Sequence, residues 1–349
     1  MATTPAYAAR DAGSPLAPFS IERRAPGPDD VQIEILYCGV CHTDVHLARG
    51  EWGGSTFPMV PGHEIVGRVS AVGGAVSRFK PGELVGVGCF VDSCRSCAPC
   101  RAGLEQYCDE GMVATYNARE RGSGAPTYGG YSTRIVVDSH YVLPIPDGLP
   151  PERAAPLLCA GITTWSPLRH FGVVAGHRVA VIGLGGLGHM AVKLAVALGA
   201  EVTVLSTSPS KRDDALALGA HDFAATGDGR AFKIHRGQFD LILDTVSAPH
   251  DINACLGLLR LDGTMVLLGL PEPTPVAAFP LVSRRRRLAG SMIGGIAETR
   301  EMLEFCAAHG IAADVELIGI ERINEAWERM LAGDVRYRFV IDMASLRGT

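Results

Sequence analysis

The chain has 349 residues, 47% of them hydrophobic, and a formal net charge of −5. That size and apolar content support two ordinary domains with separate cores, and the charge offers no general attraction to nucleic acid or an anionic membrane. The opening MATTPAYAARDAG has no basic start followed by an apolar run, and His189 and Lys193 interrupt the most apolar stretch, so a soluble cytoplasmic protein without membrane or nucleic-acid partners is expected.

From about Pro28 to Val142 the sequence is dense in Gly and Pro, with short segments (VQIEILY, IVGRVSAV, LVGVGC, YSTRIVV) that predict strands divided by turns. This texture predicts an all-β, partly closed domain. Near Pro150 it changes: PPERAAPLLCAGITTWSPLRHF has helical spacing, and apolar runs then alternate with helical patterns. RVAVIGLGG predicts a strand and turn, LGHMAVKLAVALG a helix, EVTVLS a strand and SKRDDALALG a helix. DFAA, FDLILDTV and GTMVLLGL supply further short buried strands, with the helix DINACLGLL between the last two. That order predicts a parallel, doubly wound sheet. After GSMIGG come two helical patterns, ETREMLEFCAAHG and INEAWERMLAG, and a final strand RYRFVIDM. They are too few to fold alone and are expected to return to the first domain. The expected division is 1–155 with 297–349, and 156–296. The basic run Arg284 to Arg287 is short and isolated, and is read as a strand edge or turn rather than a phosphate site.

Ten cysteines are the informative count, because clustered thiols in a reducing compartment hold metal or do catalysis more often than they form disulfides. CGVCH, Cys38 to His42, matches the pattern that attaches a c-type haem and also resembles a dithiol redox pair or one corner of a zinc site. Spacing alone leaves these open. DSCRSCAPCRAGLEQYC is more specific: Cys94, Cys97, Cys100 and Cys108 supply four closely spaced thiolates, as in a closed tetrahedral structural zinc site. Iron–sulfur clusters use similar runs, but the position of the fourth cysteine favours zinc.

GLGGLG, Gly183 to Gly188, lies between a predicted strand and a predicted helix, the context in which such a loop cradles a dinucleotide pyrophosphate. Gly183, Gly185, Gly186, Leu187 and Gly188 are therefore candidate cofactor contacts. An NAD site would carry Asp or Glu at the end of the second strand. Here that strand ends Ser206-Thr207-Ser208, with Lys211 close behind. Hydroxyls and a cation hold a 2′-phosphate that a carboxylate would repel, so NADP is favoured over NAD.

Gly62, His63, Glu64, Gly67, Gly73 and Val76 in PGHEIVGRVSAVGGAV resemble the zinc signature of the medium-chain alcohol dehydrogenases. With CGVCHTDVH, the four-cysteine lobe, LLCAGITTW and GLGGLGHMAVKLA in family order, the resemblance covers essentially the whole chain. It is nearest the cinnamyl alcohol dehydrogenase-like branch of bacterial NADPH-dependent aldehyde reductases. The resemblance implies an α/β protein: a GroES-like, partly open β-barrel catalytic domain plus a Rossmann doubly wound parallel-sheet domain. It implies that Cys41, His63 and Cys159 hold a catalytic zinc, with Glu64 as a transient ligand and Asp44 bonded to His63. It further implies a proton relay from Thr43 through the cofactor ribose to His46, and cofactor contacts from His42 and Thr163. A homodimer is also implied, for which the stretch around GTMVLLGL and GSMIGG is a candidate pairing edge. Trp52, Val113 and Tyr116 become candidates for the wall of a pocket expected between the domains. The expected cofactors are two Zn2+ per chain and NADP(H), and the expected reaction interconverts aldehydes and primary alcohols. An NAD-dependent alcohol or polyol dehydrogenase of the same family is the near alternative, and a non-enzymatic NADPH- or zinc-binding protein the distant one.

Overall fold

The computed structural model describes residues 2–346. The chain forms two compact units, Met1–Cys159 with Gly294–Thr349, and Ala160–Ile293.

The first unit is built on a seven-stranded sheet. Its path runs Val315–Gly319, Arg338–Asp342, Asp30–Gly39, Ile65–Val72, Leu84–Val87, Leu143–Pro144, and Arg134–Asp138 pairs alongside Asp30–Gly39. Alternation explains the central strand: Val31, Ile33 and Ile35 are fully buried on one face, while Glu34 between them is exposed. Register then positions the chemistry. Cys38 pairs with Ile65 and Gly39 with Val340, both antiparallel. The end of one strand, the start of the second and the start of the third therefore meet at one rim, carrying Cys41, His63 with Glu64, and Arg338.

The second unit holds six parallel strands in the order Asp222–Ala225, Glu201–Ser206, Arg178–Ile182, Phe239–Asp244, Leu259–Leu267, Arg287–Gly290. The order doubles outward from Arg178–Ile182, as in a dinucleotide-binding sheet. Ile182, Leu205, Phe239, Ile242, Leu256 and Met265 pack into its core.

Several elements depart from the sequence reading. The antiparallel pair Ala2–Ala8 and Ala17–Arg23 and the strand Val315–Gly319 lie outside the expected set. Their Ala, Pro, Glu and Gly content is weakly strand-forming, so pairing decides them. The helix expected after Pro150 breaks into Pro151–Ala154, a tighter turn Ala155–Leu158, and Ala160–His170. Pro156 has no N–H to donate four positions back, so the regular helical bonding lapses there, and the chain leaves the helix at Cys159, φ −130° and ψ −69°. Of the candidate edge stretches, GTMVLLGL lies one strand inside the sheet, whereas GSMIGG begins at Gly290, the last residue of the edge strand Arg287–Gly290. The basic run is the turn entering that edge: Arg285 pairs with Asp262, and Arg286 donates to the carbonyls of Gly257, Leu259 and Pro280. Among the described residues no helix is long and apolar enough to cross a membrane.

Candidate active site

Cys41 ends the loop after the central strand and caps the helix His42–Ala48. Asp44, three positions on, accepts a hydrogen bond from the Cys41 backbone N–H at 2.9 Å, as in a capping box. The same carboxylate accepts from Gly62 N–H at 3.1 Å and lies 3.3 Å from His63 Nδ1. Because a carboxylate only accepts, Nδ1 carries the proton and Nε2 presents its lone pair on the opposite side. There it lies 3.3 Å from Cys159 Sγ. Gly62 makes the approach possible: its φ is +104°, and a side chain would collide with Cys38 Sγ and the Tyr131 ring.

One ligand atom each from Cys41, His63, Glu64 and Cys159 lies within 4.8 Å of the others, and all four residues are buried. Two thiols, an imidazole nitrogen and an oxygen at that spacing fit a tetrahedral zinc. Glu64 Oε2, buried and without a hydrogen-bond partner, fits the same centre. The electrostatics of these groups suit a cation among them. The hydrogen bond with Cys159 pushes Cys41 well below the usual thiol range and raises Cys159. Burial opposes charge on His63, but Asp44 and neighbouring thiols lift its pKa well above the ordinary value. Burial raises Glu64 to about 8 against the opposing pull of Arg338.

Thr43 Oγ1 lies 3.6 Å from Cys41 Sγ. One helical turn from His42, His46 has its Nδ1 2.5 Å from Glu51 and its ring stacked on the half-exposed Trp52. Tyr116 stacks on His63 with centroids 5.8 Å apart, and Val113 is buried in the short strand Val113–Ala114.

The second cluster is separate. Cys94, Cys97, Cys100 and Cys108 bring their sulfurs within 4.8 Å of one another around the short helix Ala98–Arg101. Backbone N–H groups of Cys94 and Cys97 donate to Cys108 Sγ and Cys94 Sγ, both at 3.3 Å. Those of Ser96 and Cys97 lower Cys94 to about 6. Four thiols supported by amide donors fit a closed zinc site.

In the second unit GLGGLG joins the strand Arg178–Ile182 to the helix Gly188–Ala197. A Cβ on Gly188 would lie 2.1 Å from the Gly183 carbonyl oxygen, so helix and loop pack backbone to backbone, whereas one on Gly185 would meet no protein atom within 4 Å. Gly186 and Leu187 complete the turn. Ser206 is buried at the strand end, its Oγ accepting from Ser208 N–H at 3.2 Å, and Thr207 and Ser208 are exposed. Lys211 donates from Nζ to the Leu184 carbonyl at 2.8 Å, which holds the ammonium against the glycine loop. Thr163 is buried in the helix Ala160–His170.

Three participants escape the sequence reading. Arg338, fully buried, pairs with Glu64 across 274 positions. Its only signal is a charge at the start of a strand whose middle, Phe339 to Ile341, is apolar. Glu51, on His46, has no signal beyond its closeness in sequence. Tyr131, whose hydroxyl donates to Asp44 at 3.3 Å, has none.

Residues 27–147 match the alcohol dehydrogenase GroES-like domain, and residues 186–308 match the zinc-binding dehydrogenase domain. NADP-dependent alcohol dehydrogenase C 1 of Mycolicibacterium smegmatis is 61% identical over 99% of this chain and 100% of its own length. The chain belongs to the zinc-binding alcohol dehydrogenases. Aldehyde reductase YahK of Escherichia coli, another relative of this dehydrogenase, is 54% identical over 98% of each chain. Among solved structures, a cinnamyl alcohol dehydrogenase from Sorghum bicolor superposes with a TM-score of 0.96 at 46% identity, covering 98% of each chain. The Helicobacter pylori cinnamyl alcohol dehydrogenase complexed with NADP(H) gives 0.92 at 42%, also over 98% of each. The dehydrogenase thus has the medium-chain fold that the resemblance implied, with GroES-like and Rossmann-like domains.

Proposed function

We propose that this dehydrogenase is a zinc-dependent, NADPH-linked aldehyde reductase that interconverts aromatic and aliphatic aldehydes with primary alcohols. The observation that carries this reading is the buried cluster of Cys41, His63, Glu64 and Cys159, with the His63 ring oriented by Asp44. When bound, zinc supplies Lewis-acid polarisation of a carbonyl and NADPH supplies hydride. The chain's own part is to hold and to move protons. Asp44 keeps the His63 proton on Nδ1, so that Nε2 remains a donor to metal. The Thr43 hydroxyl, beside Cys41, would give a proton to the developing alcohol oxygen, and His46 paired with Glu51 would be the terminus near the surface. Cys94, Cys97, Cys100 and Cys108 would hold a second, structural zinc.

Met1–Cys159 with Gly294–Thr349 acts as the catalytic domain and Ala160–Ile293 as the nucleotide domain, with His42 and Thr163 adding cofactor contacts. Preference for NADP is supported by Ser206, Thr207, Ser208 and Lys211. The ammonium uses one proton on Leu184 and keeps two for a phosphate. A homodimer is supported by the exposed Leu270, Phe279 and Val282, near the edge strand Arg287–Gly290. A reducing cytoplasm suits cysteines that are all free, with Cys41, Cys159 and the four of the lobe gathered at the two metal clusters.

Metal analysis together with aldehyde reduction tests the reading. Wild-type protein should carry two zinc ions per chain and oxidise NADPH with benzaldehyde- and butanal-type substrates. Cys159→Ser should retain one zinc and NADPH binding while losing turnover. Reduction of aldehydes by zinc-stripped protein would sink the assignment.

A further inference from the structure

Asp44 is fully buried, yet its carboxylate collects four donors, two on each oxygen. Oδ1 faces Gly62 N–H and His63 Nδ1, while Oδ2 takes Cys41 N–H and the Tyr131 hydroxyl. Three of these donors belong to the metal loops themselves. The fourth comes from a strand lead-in that contributes no ligand. Tyr131 is fully buried and anchored on both sides: its N–H donates to Pro61 O at 3.0 Å, and its carbonyl accepts from Tyr7 N–H at 2.9 Å. Its ring lies against Gly62, where a Cβ would come within 2.7 Å of ring carbon Cδ1. The phenol is thereby a rigid post, and its hydroxyl restrains rotation of the Asp44 carboxylate about its own bond. Without that restraint Oδ2 would lose one of its donors, and Oδ1 could swing away from the His63 ring.

We propose that Tyr131 is a positioning residue for the catalytic metal centre: it fixes Asp44 Oδ2 so that Oδ1 holds His63 with Nε2 toward Cys41 and Cys159. The proposal rests on the zinc reading above. Partners one step removed from a ligand typically tune metal affinity by about 10–100-fold, and a tyrosine tethering such a partner acts on the same quantity.

The test compares zinc-loaded wild type with Tyr131→Phe, which keeps the ring against Gly62 and removes only the hydroxyl. Zinc is withdrawn by a competing chelator, with the four-cysteine site as an internal reference. The catalytic zinc should leave about tenfold more readily, the lobe zinc at an unchanged rate. The turnover number should fall while KM for NADPH stays the same. Asp44→Asn forms the second arm. It should loosen the same zinc, and adding Tyr131→Phe to it should change nothing further, because the tyrosine acts through the carboxylate. Equal loosening of both zincs, unchanged affinity, or fully additive losses in the double variant would each overturn the proposal. A wild-type chain carrying only the lobe zinc would refute the site assignment itself, before any variant is compared.

Discussion

Glu64 and Arg338 show how closely stability and chemistry are joined at single residues. Glu64 is fully buried, and Gly39 gives it room, since a Cβ there would lie 1.9 Å from Oε2. Arg338 engages Oε1 and leaves Oε2 without a partner. Breaking a buried pair by removing one member typically costs about 3–5 kcal/mol, because the other charge is left in a poorly solvating interior. Arg338→Met should therefore lower stability by roughly that amount in denaturant titration of the zinc-loaded protein. Adding Glu64→Gln should restore part of the loss, because an amide, unlike the buried carboxyl, needs no cationic partner. If the single variant is as stable as wild type, the pair is dispensable. The motif GHE makes Glu64 legible in the sequence, but its partner is a strand residue brought beside it only by the antiparallel register of Val340 on Gly39.

At the scale of elements, the strand Glu201–Ser206 and its exit would carry the proposed cofactor preference. Hydrophobicity makes the strand readable, and the absence of an acid at its end is plain from the residues themselves. The tertiary structure adds that Ser206 faces inward and braces the turn through Ser208 N–H. An aspartate in its place can keep that bond and adds a negative charge at the strand end. Ser206→Asp should lower the ratio of kcat/KM for NADPH over NADH by about tenfold, equivalent to roughly 1.4 kcal/mol. Steady-state kinetics with both cofactors read this directly; an unchanged ratio would remove Ser206 from the preference. The broken helix around Cys159 is less legible. Periodicity runs smoothly through PPERAAPLLCAGITTW, and the interruption that frees Cys159 arises from proline geometry and from packing of the Ala155–Leu158 turn on the strand Leu84–Val87.

For the whole molecule, the exposed apolar residues of the second unit bear on the proposed homodimer. Phe279 and Val282 are 78% and 72% exposed, and among the described residues the edge strand Arg287–Gly290 has one side of its backbone unpaired within the sheet. In the proposed dimer a second copy about a two-fold axis would satisfy both, by continuing the sheet and covering the side chains. Phe279→Ser combined with Val282→Ser should convert a dimer to a monomer by light scattering while zinc content stays unchanged. A wild-type monomer at micromolar concentration would contradict the dimer.

The sequence by itself determined the class of chemistry. Ligand types and glycine spacings are local demands of zinc and pyrophosphate, so they survive as readable words: GHE, the four-cysteine run, GLGGLG. It also determined the parallel α/β unit, because buried strands and amphipathic helices impose their own periods. Only the tertiary structure decided which thiols meet, that Arg338 neutralises Glu64, and that Tyr131 and Glu51 stand behind Asp44 and His46. Those pairings depend on strand register and on the break at Cys159, and a register is a relation between distant segments that neither segment encodes alone.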